Sequence, residues 1–365
     1  MRGEEKEKRK RGEKGGEGAS QKGRILQEKI RKLPFPEVFL TGRGVIHSIR
    51  EDLEEEGFYF ENPVVATGPG FTKRFGELFY HHFVVEHASW EEVKRFRRFI
   101  EKNRNDLIVG VGGGRVLDVS KLAGGETGIP FLSVPTTLSN DGIYSPVAVI
   151  SFEDGIKSVQ TELPLGIVID VEVIKSAPGI YLLAGVGDLI ANMSALKDWE
   201  LAESEGREKL ERIAYLISRD AVESFVEFAS NGYDVHSPIF IERLSDGLLA
   251  SGISMAIAGT SRPASGSEHL ISHALDKILE KPLPHGIQTG MATLFTECLR
   301  GEDISLLKKT MEKLGFPASP EEVGIKKETF LKAVELGPET RKGRFTILDI
   351  TGRKEWEEAY KKAFE

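Results

Sequence analysis

The chain runs to 365 residues, more than one hydrophobic core comfortably serves, so two domains are expected. Hydrophobic residues make up 40% and charged residues 29%, and a net charge of −8 argues against general affinity for nucleic acid or an anionic membrane. The single Cys298 excludes an internal disulfide and a cysteine-only metal site; no apolar run approaches a membrane span, so a cytoplasmic protein is expected.

Residues 1–23, MRGEEKEKRKRGEKGGEGASQKG, hold almost nothing apolar and predict a disordered charged tail, whose interleaved glutamates weaken any reading as a nucleic-acid arm. From about residue 36 the pattern alternates. EVFLTG reads as a strand, VIHSIREDLEEEG as a helix stopping at Gly57, NPVVATG as a strand and TKRFGELFY as a short helix. FVVEH is a strand, and SWEEVKRFRRFIEKN a helix with Ser89 at its cap and Glu92 three residues on. NDLIVGVGGG, RVLDVSKLAGG and GIPFLSVPTT continue as strand, helix and strand. Short β-branched runs between amphipathic helices predict a parallel sheet covered on both faces. SPVAVISFEDGIKSVQ sets Asp-Gly between two strand-like runs and predicts a hairpin, and PLGIVID is one more strand. After about residue 180 helical periodicity takes over, as in REKLERIAYLISRDAVESFVEFAS. The layout is an α/β nucleotide domain over 24–180, a helical domain over 181–365, and a cleft between them. Six Asn and four Gln beside many Glu, Lys and Arg resemble the bias of proteins from hot environments.

Two strand ends carry glycines. LIVGVGGGRVLDVSK sets Gly110, Gly112, Gly113 and Gly114 between a strand and a helix, where a pyrophosphate can approach the backbone and the helix N-terminus. It is neither G-x-G-x-x-G with a following ribose-binding acid nor a Walker loop, and a tight turn explains it equally well. The second, VVATGPG, has Thr67, Gly68, Thr72, Lys73 and Arg74 where an acid would select against a 2′-phosphate, so NADPH is tolerated. A solvated turn is the plain alternative.

Three distant segments offer metal ligands. GVGDLIANMSALKDW places Asp188 near a helix start, where an N-cap is as good a reading. SGSEHLISHALD sets His269 and His273 one helical turn apart on one face, and KPLPHGIQTGMA sets His285 before another helix. One carboxylate and two imidazoles leave an open position on Zn2+, although the spacing is not that of an H-E-x-x-H protease.

With TGIPFLSVPTTLSNDGIYSPVAVI between GVGGGRVLD and these segments, residues 35–350 resemble the sn-glycerol-1-phosphate dehydrogenase family. That family belongs to the group holding glycerol dehydrogenase, iron-containing alcohol dehydrogenases and 3-dehydroquinate synthase. The resemblance implies a Rossmann-like N-terminal domain, an all-helical C-terminal domain, and cofactor and metal in the cleft. It implies NAD(P)H-dependent reduction of dihydroxyacetone phosphate to sn-glycerol 1-phosphate, which supplies the backbone of archaeal membrane lipids. Zinc, one per subunit, would act as a Lewis acid on the ketone oxygen, and a homo-oligomer is expected.

Position by position, the resemblance assigns Gly114, Arg115, Val116, Leu117 and Asp118 to the cofactor pyrophosphate. It assigns Thr136, Thr137, Leu138 and Ser139 to a second cofactor segment and Ser145 to a contact near the nicotinamide. Asp188, His269 and His285 would bind metal, while Asp141, Asp188 and His273 would meet substrate and serve catalysis. Arg115-Val116-Leu117 departs from the Lys or Ser many relatives carry at the first position. For the substrate phosphate, Ser261, Arg262, Ser265 and Ser267 are expected from their place before the histidine helix. Glycerol dehydrogenase is the sister alternative, with SNDG leaning against it. A 3-dehydroquinate synthase-like lyase would carry a GGK-type segment absent after Asp141.

Overall fold

The structure is a computed structural model and describes residues 33–365, so the expected tail at 1–23 lies outside the described residues. Six strands form one parallel sheet: β1 (Val38–Gly42), β2 (Pro63–Thr67), β3 (His81–Val84), β4 (Leu107–Gly112), β5 (Phe131–Pro135) and β8 (Gly166–Asp170). Their order is β1-β8-β5-β4-β2-β3. The central strands read as unbroken apolar runs because both faces are covered. Val64, Ala66, Ile108, Ile167 and Ile169 face the larger core, and the alternating Val65, Val109, Val111, Leu132 and Val168 face a second cluster with Ile46, Ile49 and Phe75.

Two helices form the crossovers flanking β4. Helix α2 (Trp90–Asn103) starts as its cap predicts, with Ser89 Oγ accepting from the Glu92 N–H at 3.3 Å. Helix α3 (Gly114–Thr127) follows the triple glycine and ends at Gly128, whose φ is 71°. Two details differ from the sequence reading. VIHSIREDLEEEG divides into a 3-10 turn, Val45–His47, and helix α1, Ile49–Glu55. TKRFGELFY lies in a 3-10 stretch, Phe71–Leu78. The hairpin β6 (Val147–Phe152) and β7 (Gly155–Gln160) forms as expected, with Phe152 paired to Gly155.

After β8 the chain is helical: α4 (Val171–Lys175), α5 (Gly179–Ser204), α6 (Arg212–Ala229), α7 (Pro238–Ala258), α8 (Ser267–Ile278), α9 (His285–Leu299), α10 (Ser305–Leu314), α11 (Lys327–Thr340) and α12 (Arg353–Phe364). Helix α5, with 26 residues, is long and apolar enough to cross a membrane by length and composition alone. Its apolar surface is instead mostly buried, packed against α9, because it is the core helix of this half. The larger hydrophobic cluster is continuous from Val64 in the sheet to Ala363 in α12.

Sheet order and glycines together position the site. From β4 the chain moves to β5 on one side, while β2 leads to β3 on the other, so a crevice opens beyond the carboxyl ends of β2 and β4. Gly68 and Gly113 flank that crevice. On the helical side, α5 comes very close to its neighbours. A Cβ at Gly185 would stand 1.9 Å from the Leu138 carbonyl oxygen, and one at Gly187 would stand 1.8 Å from that of Gly286. Only glycine lets these backbones meet.

Candidate active site and metal centre

The GVG turn of α5 delivers Asp188 between two other elements. Asp188 is an interior residue of α5, ten positions from the helix cap Pro178, so it is not an N-cap. Being 4% exposed, it sits where a bare carboxylate is costly. Its Oδ2 accepts the backbone N–H of Asp141 at 2.9 Å. Its Oδ1 lies 3.8 Å from His269 Nε2 and 3.9 Å from His285 Nε2. His269 is the third residue of α8 and His285 the first of α9. One ligand atom from each of the three lies within 4.8 Å of the others. A zinc–ligand bond is about 2.1 Å, so one ion can reach both the carboxylate and either imidazole across these gaps.

The outer partners settle which ring nitrogen faces inward. His269 Nδ1 meets Glu268 Oε1 at 2.9 Å, and a carboxylate there accepts the Nδ1 proton. His285 Nδ1 meets Ser272 Oγ at 2.9 Å, and that hydroxyl turns its own proton toward Gln288 Oε1 at 3.4 Å. Gln288 is held in turn by Asp276, at 2.8 Å from its Nε2. Both Nε2 lone pairs are therefore free to bind a cation, with the second-layer support that metal-binding histidines normally have. Burial, with Arg344 and Arg341 adding to it, lowers His269 to about 3, so its ring is neutral at ordinary pH. Burial and the neighbouring His269 and His273 rings hold His285 well below the usual histidine value. Burial, and after it Asp141, pushes Asp188 well above the carboxylate range, a cost that a bound cation reverses. The donor set fits a divalent metal.

His273 and Asp141 look onto the same space. The His273 ring stacks on His285 with centroids 5.8 Å apart, and burial lowers it to about 4. Asp141 Oδ2 accepts from Ser251 Oγ at 3.1 Å, and burial raises its carboxyl to about 6. A cavity of about 320 Å³ is lined by Asp141, Asp188, His269, His273 and His285 and reaches Gly114, Asp118 and Ser145 at its other end.

That other end fits a dinucleotide. Gly114 would carry a Cβ into open space, and although the Val116 and Leu117 amides donate to the Gly113 carbonyl at 2.9 and 3.2 Å, the Gly114 and Arg115 amides that open α3 are left for an anion. Thr137 stands beside Gly113, and its Oγ1 is buried without a hydrogen-bond partner among the described residues. Thr136 and Leu138 are buried in the same loop, and none of Thr136, Thr137, Leu138 and Ser139 lines the cavity. The Arg115 side chain is tied to the Glu86 carbonyl at 2.8 Å, while Val116 and Leu117 point into the core. At the second strand end, Thr72 Oγ1 accepts from the Gly68 N–H at 2.8 Å, and no acidic residue stands at 67–74.

Two of the expected phosphate ligands are committed elsewhere. Arg262 is fully buried, its Nε 2.8 Å from Glu208 and its Nη1 2.8 Å from the Phe345 carbonyl. Ser267 is also fully buried, beside Arg300 at 3.4 Å. Ser261 and Ser265 do line the cavity. Sequence reasoning missed Glu268 as the His269 partner and Lys121, whose Nζ reaches the Gly142 and Val147 carbonyls at 3.0 and 2.9 Å. Glu268 had a local signal, its place beside the histidine; Lys121, three residues after Asp118, had only a helical spacing. Arg341 and Arg344 gave none, since they lie some seventy residues beyond the histidines.

A family model described as iron-containing alcohol dehydrogenase matches residues 73–178. The chain is 37% identical over 333 residues to the NAD(P)+-linked glycerol-1-phosphate dehydrogenase of Pyrococcus furiosus, covering 88% of this chain and 94% of that protein. It is 34% identical over 340 residues to the protein of the same name from Hyperthermus butylicus, covering 90% and 97%. Among solved structures, glycerol dehydrogenase from Schizosaccharomyces pombe superposes with a TM-score of 0.70 at 20% identity, covering 92% of this chain and 90% of that one. At that identity the likeness concerns the fold.

Proposed function

The chain belongs to the glycerol-1-phosphate dehydrogenase family, and on that basis we propose that it reduces dihydroxyacetone phosphate to sn-glycerol 1-phosphate with NADPH or NADH, using one Zn2+ per subunit. It is an NAD(P)-linked oxidoreductase of a metal-dependent family. The observation that carries the reading is one cavity with the glycine turn at one end and the Asp188, His269 and His285 donors at the other.

When bound, the metal supplies Lewis acidity to a carbonyl oxygen and the reduced nicotinamide supplies hydride. The protein's own part is placement. Asp188, His269 and His285 would hold the ion, and the Asp141 amide fixes Asp188 Oδ2. Asp141 Oδ2 and His273 bond the substrate hydroxyl and orient the ketone. Gly114 to Asp118, with Thr136 to Ser139 and Ser145, would hold the dinucleotide. Residues 24–180 serve the cofactor and 181–365 the metal and substrate. A cytoplasmic homo-oligomer feeding archaeal lipid synthesis completes the reading.

The test is the initial rate of NADPH oxidation with dihydroxyacetone phosphate against dihydroxyacetone, with glycerol oxidation run in reverse. We expect turnover to depend on the phosphate, and the product to be refused by an enzyme specific for sn-glycerol 3-phosphate. Oxidation of free glycerol without turnover of the phosphate ester would move the protein to the glycerol dehydrogenases.

A further inference from the structure

Three arginines converge on the wall of the cavity beside the histidines, and only one of them is neutralised. Arg341 and Arg344 follow α11 in RKGR, where Gly343 makes the turn at φ 85°. Arg341 Nη1 donates to Ser261 Oγ at 2.8 Å, and Arg344 Nη2 donates to the same oxygen at 3.1 Å. Arg344 Nη1 also donates to the Ser265 carbonyl at 2.6 Å. Arg262 behind them is paired with Glu208. Among the described residues neither Arg341 nor Arg344 has a carboxylate within 4.0 Å. Two guanidinium groups thus share one neutral hydroxyl, in a wall that holds more positive than negative charge.

Arg344 is 7% exposed and serves as a clamp, pinning Ser261 and Ser265 through its two bonds. Arg341 differs, because it is exposed and lines the cavity with Thr260, Ser261 and Ser265. Arg341 and Ser261 line the same cavity as His269, His273 and His285, so the guanidinium stands in the wall next to the proposed metal donors. A planar guanidinium with a hydroxyl beside it matches the oxygens of a phosphate, and a phosphate would balance the wall's charge.

We propose that Arg341 and Ser261 bind the phosphate of a small phosphorylated ketone whose carbonyl lies at the histidine cluster, with Arg344 as the positioning residue. This rests on the reading of the reaction given above, which it deepens by naming the group that selects phosphorylated over free substrate.

The experiment uses the full chain, metal-loaded and saturated with NAD+ so that the glycine turn is filled. Inorganic phosphate is titrated calorimetrically into the wild type, Arg341→Gln and Arg341→Lys. Because Arg341 is exposed, its replacement leaves the core intact, and thermal melting with metal analysis checks this. The phosphate Kd should rise about 10- to 100-fold in Arg341→Gln, with partial recovery in Arg341→Lys. The ratio of kcat/KM for dihydroxyacetone phosphate over dihydroxyacetone should fall by a similar factor. Wild-type-like phosphate binding by Arg341→Gln, or no saturable binding by the wild type, overturns the proposal. If the wild type shows no preference for the phosphorylated ketone while Arg341→Gln still loses phosphate, the anion site stands and the assigned reaction fails. If the preference exists and survives in Arg341→Gln, the reaction stands and the site fails.

Discussion

Glu268 is fully buried one residue from a metal donor, and its Oε1 accepts from both the Gly266 amide at 2.6 Å and His269 Nδ1 at 2.9 Å. Such a carboxylate fixes the tautomer and raises the basicity of the ring it touches. Glu268→Gln keeps the shape but weakens the acceptor, so zinc Kd by chelator competition should rise about 10- to 100-fold. An unchanged Kd would show that His269 needs no such partner. A second residue reports through pH. Asp118 is half-buried, with Oδ2 accepting from Val149 N–H at 3.1 Å, and burial raises its carboxyl from 3.8 to about 6 against the pull of Lys121. The folded state then binds the extra proton, so this group's contribution to stability is present below about pH 4 and lost as pH rises through 6. Asp118→Asn removes that dependence, and its melting temperature should gain on the wild type between pH 4 and pH 7. A difference that stays flat with pH would contradict it. The grouping of Asp188, His269 and His285, which the structure brings together, followed from the family resemblance, because spacing alone left Asp188 as a possible cap and did not choose between His269 and His273. Of the residues expected on the phosphate side, Ser261 and Ser265 do line the cavity, but Arg262 does not, because it looks exposed by its place in a polar turn and only the packing reveals its pairing with Glu208.

Helix α5 carries the most constrained contact of the fold. A Cβ at Gly286 would lie 1.7 Å from the Ala184 carbonyl oxygen, and backbone cannot step aside as a side chain can. Gly286→Ala must push the start of α9 away from α5, at a cost of about 1–3 kcal/mol in stability. It should also lower metal stoichiometry, since His285 opens α9 and Asp188 lies in α5. Full metal content with an unshifted melting curve would mean the approach is looser than drawn. Elements of the sheet were readable in advance, because β-branched runs of five or six residues between capped helices leave little choice of layout. The start of α5 was not: GVGD looks like a turn before a helix, yet the helix begins at Gly179 and runs through both glycines. Propensity disfavours glycine inside a helix, and here close packing overrides it.

Across the whole molecule, one continuous cluster joins the sheet to the last helix, and the metal donors stand at the edge of that core, in a cavity wall. Folding therefore does not depend on the ion, in contrast to small zinc-folded domains. Metal should add only linkage stabilisation, about 3–4 kcal/mol when free zinc is 100 to 1,000 times its Kd. On the proposed reading, chemistry by contrast depends on it wholly. The most direct measurement is dihydroxyacetone phosphate-dependent NADPH oxidation after exhaustive chelation, with residual metal counted by elemental analysis and folding followed by circular dichroism. The account predicts a folded protein without turnover, and recovery in proportion to added zinc up to one ion per subunit. Undiminished turnover by a chain shown to be metal-free would contradict it.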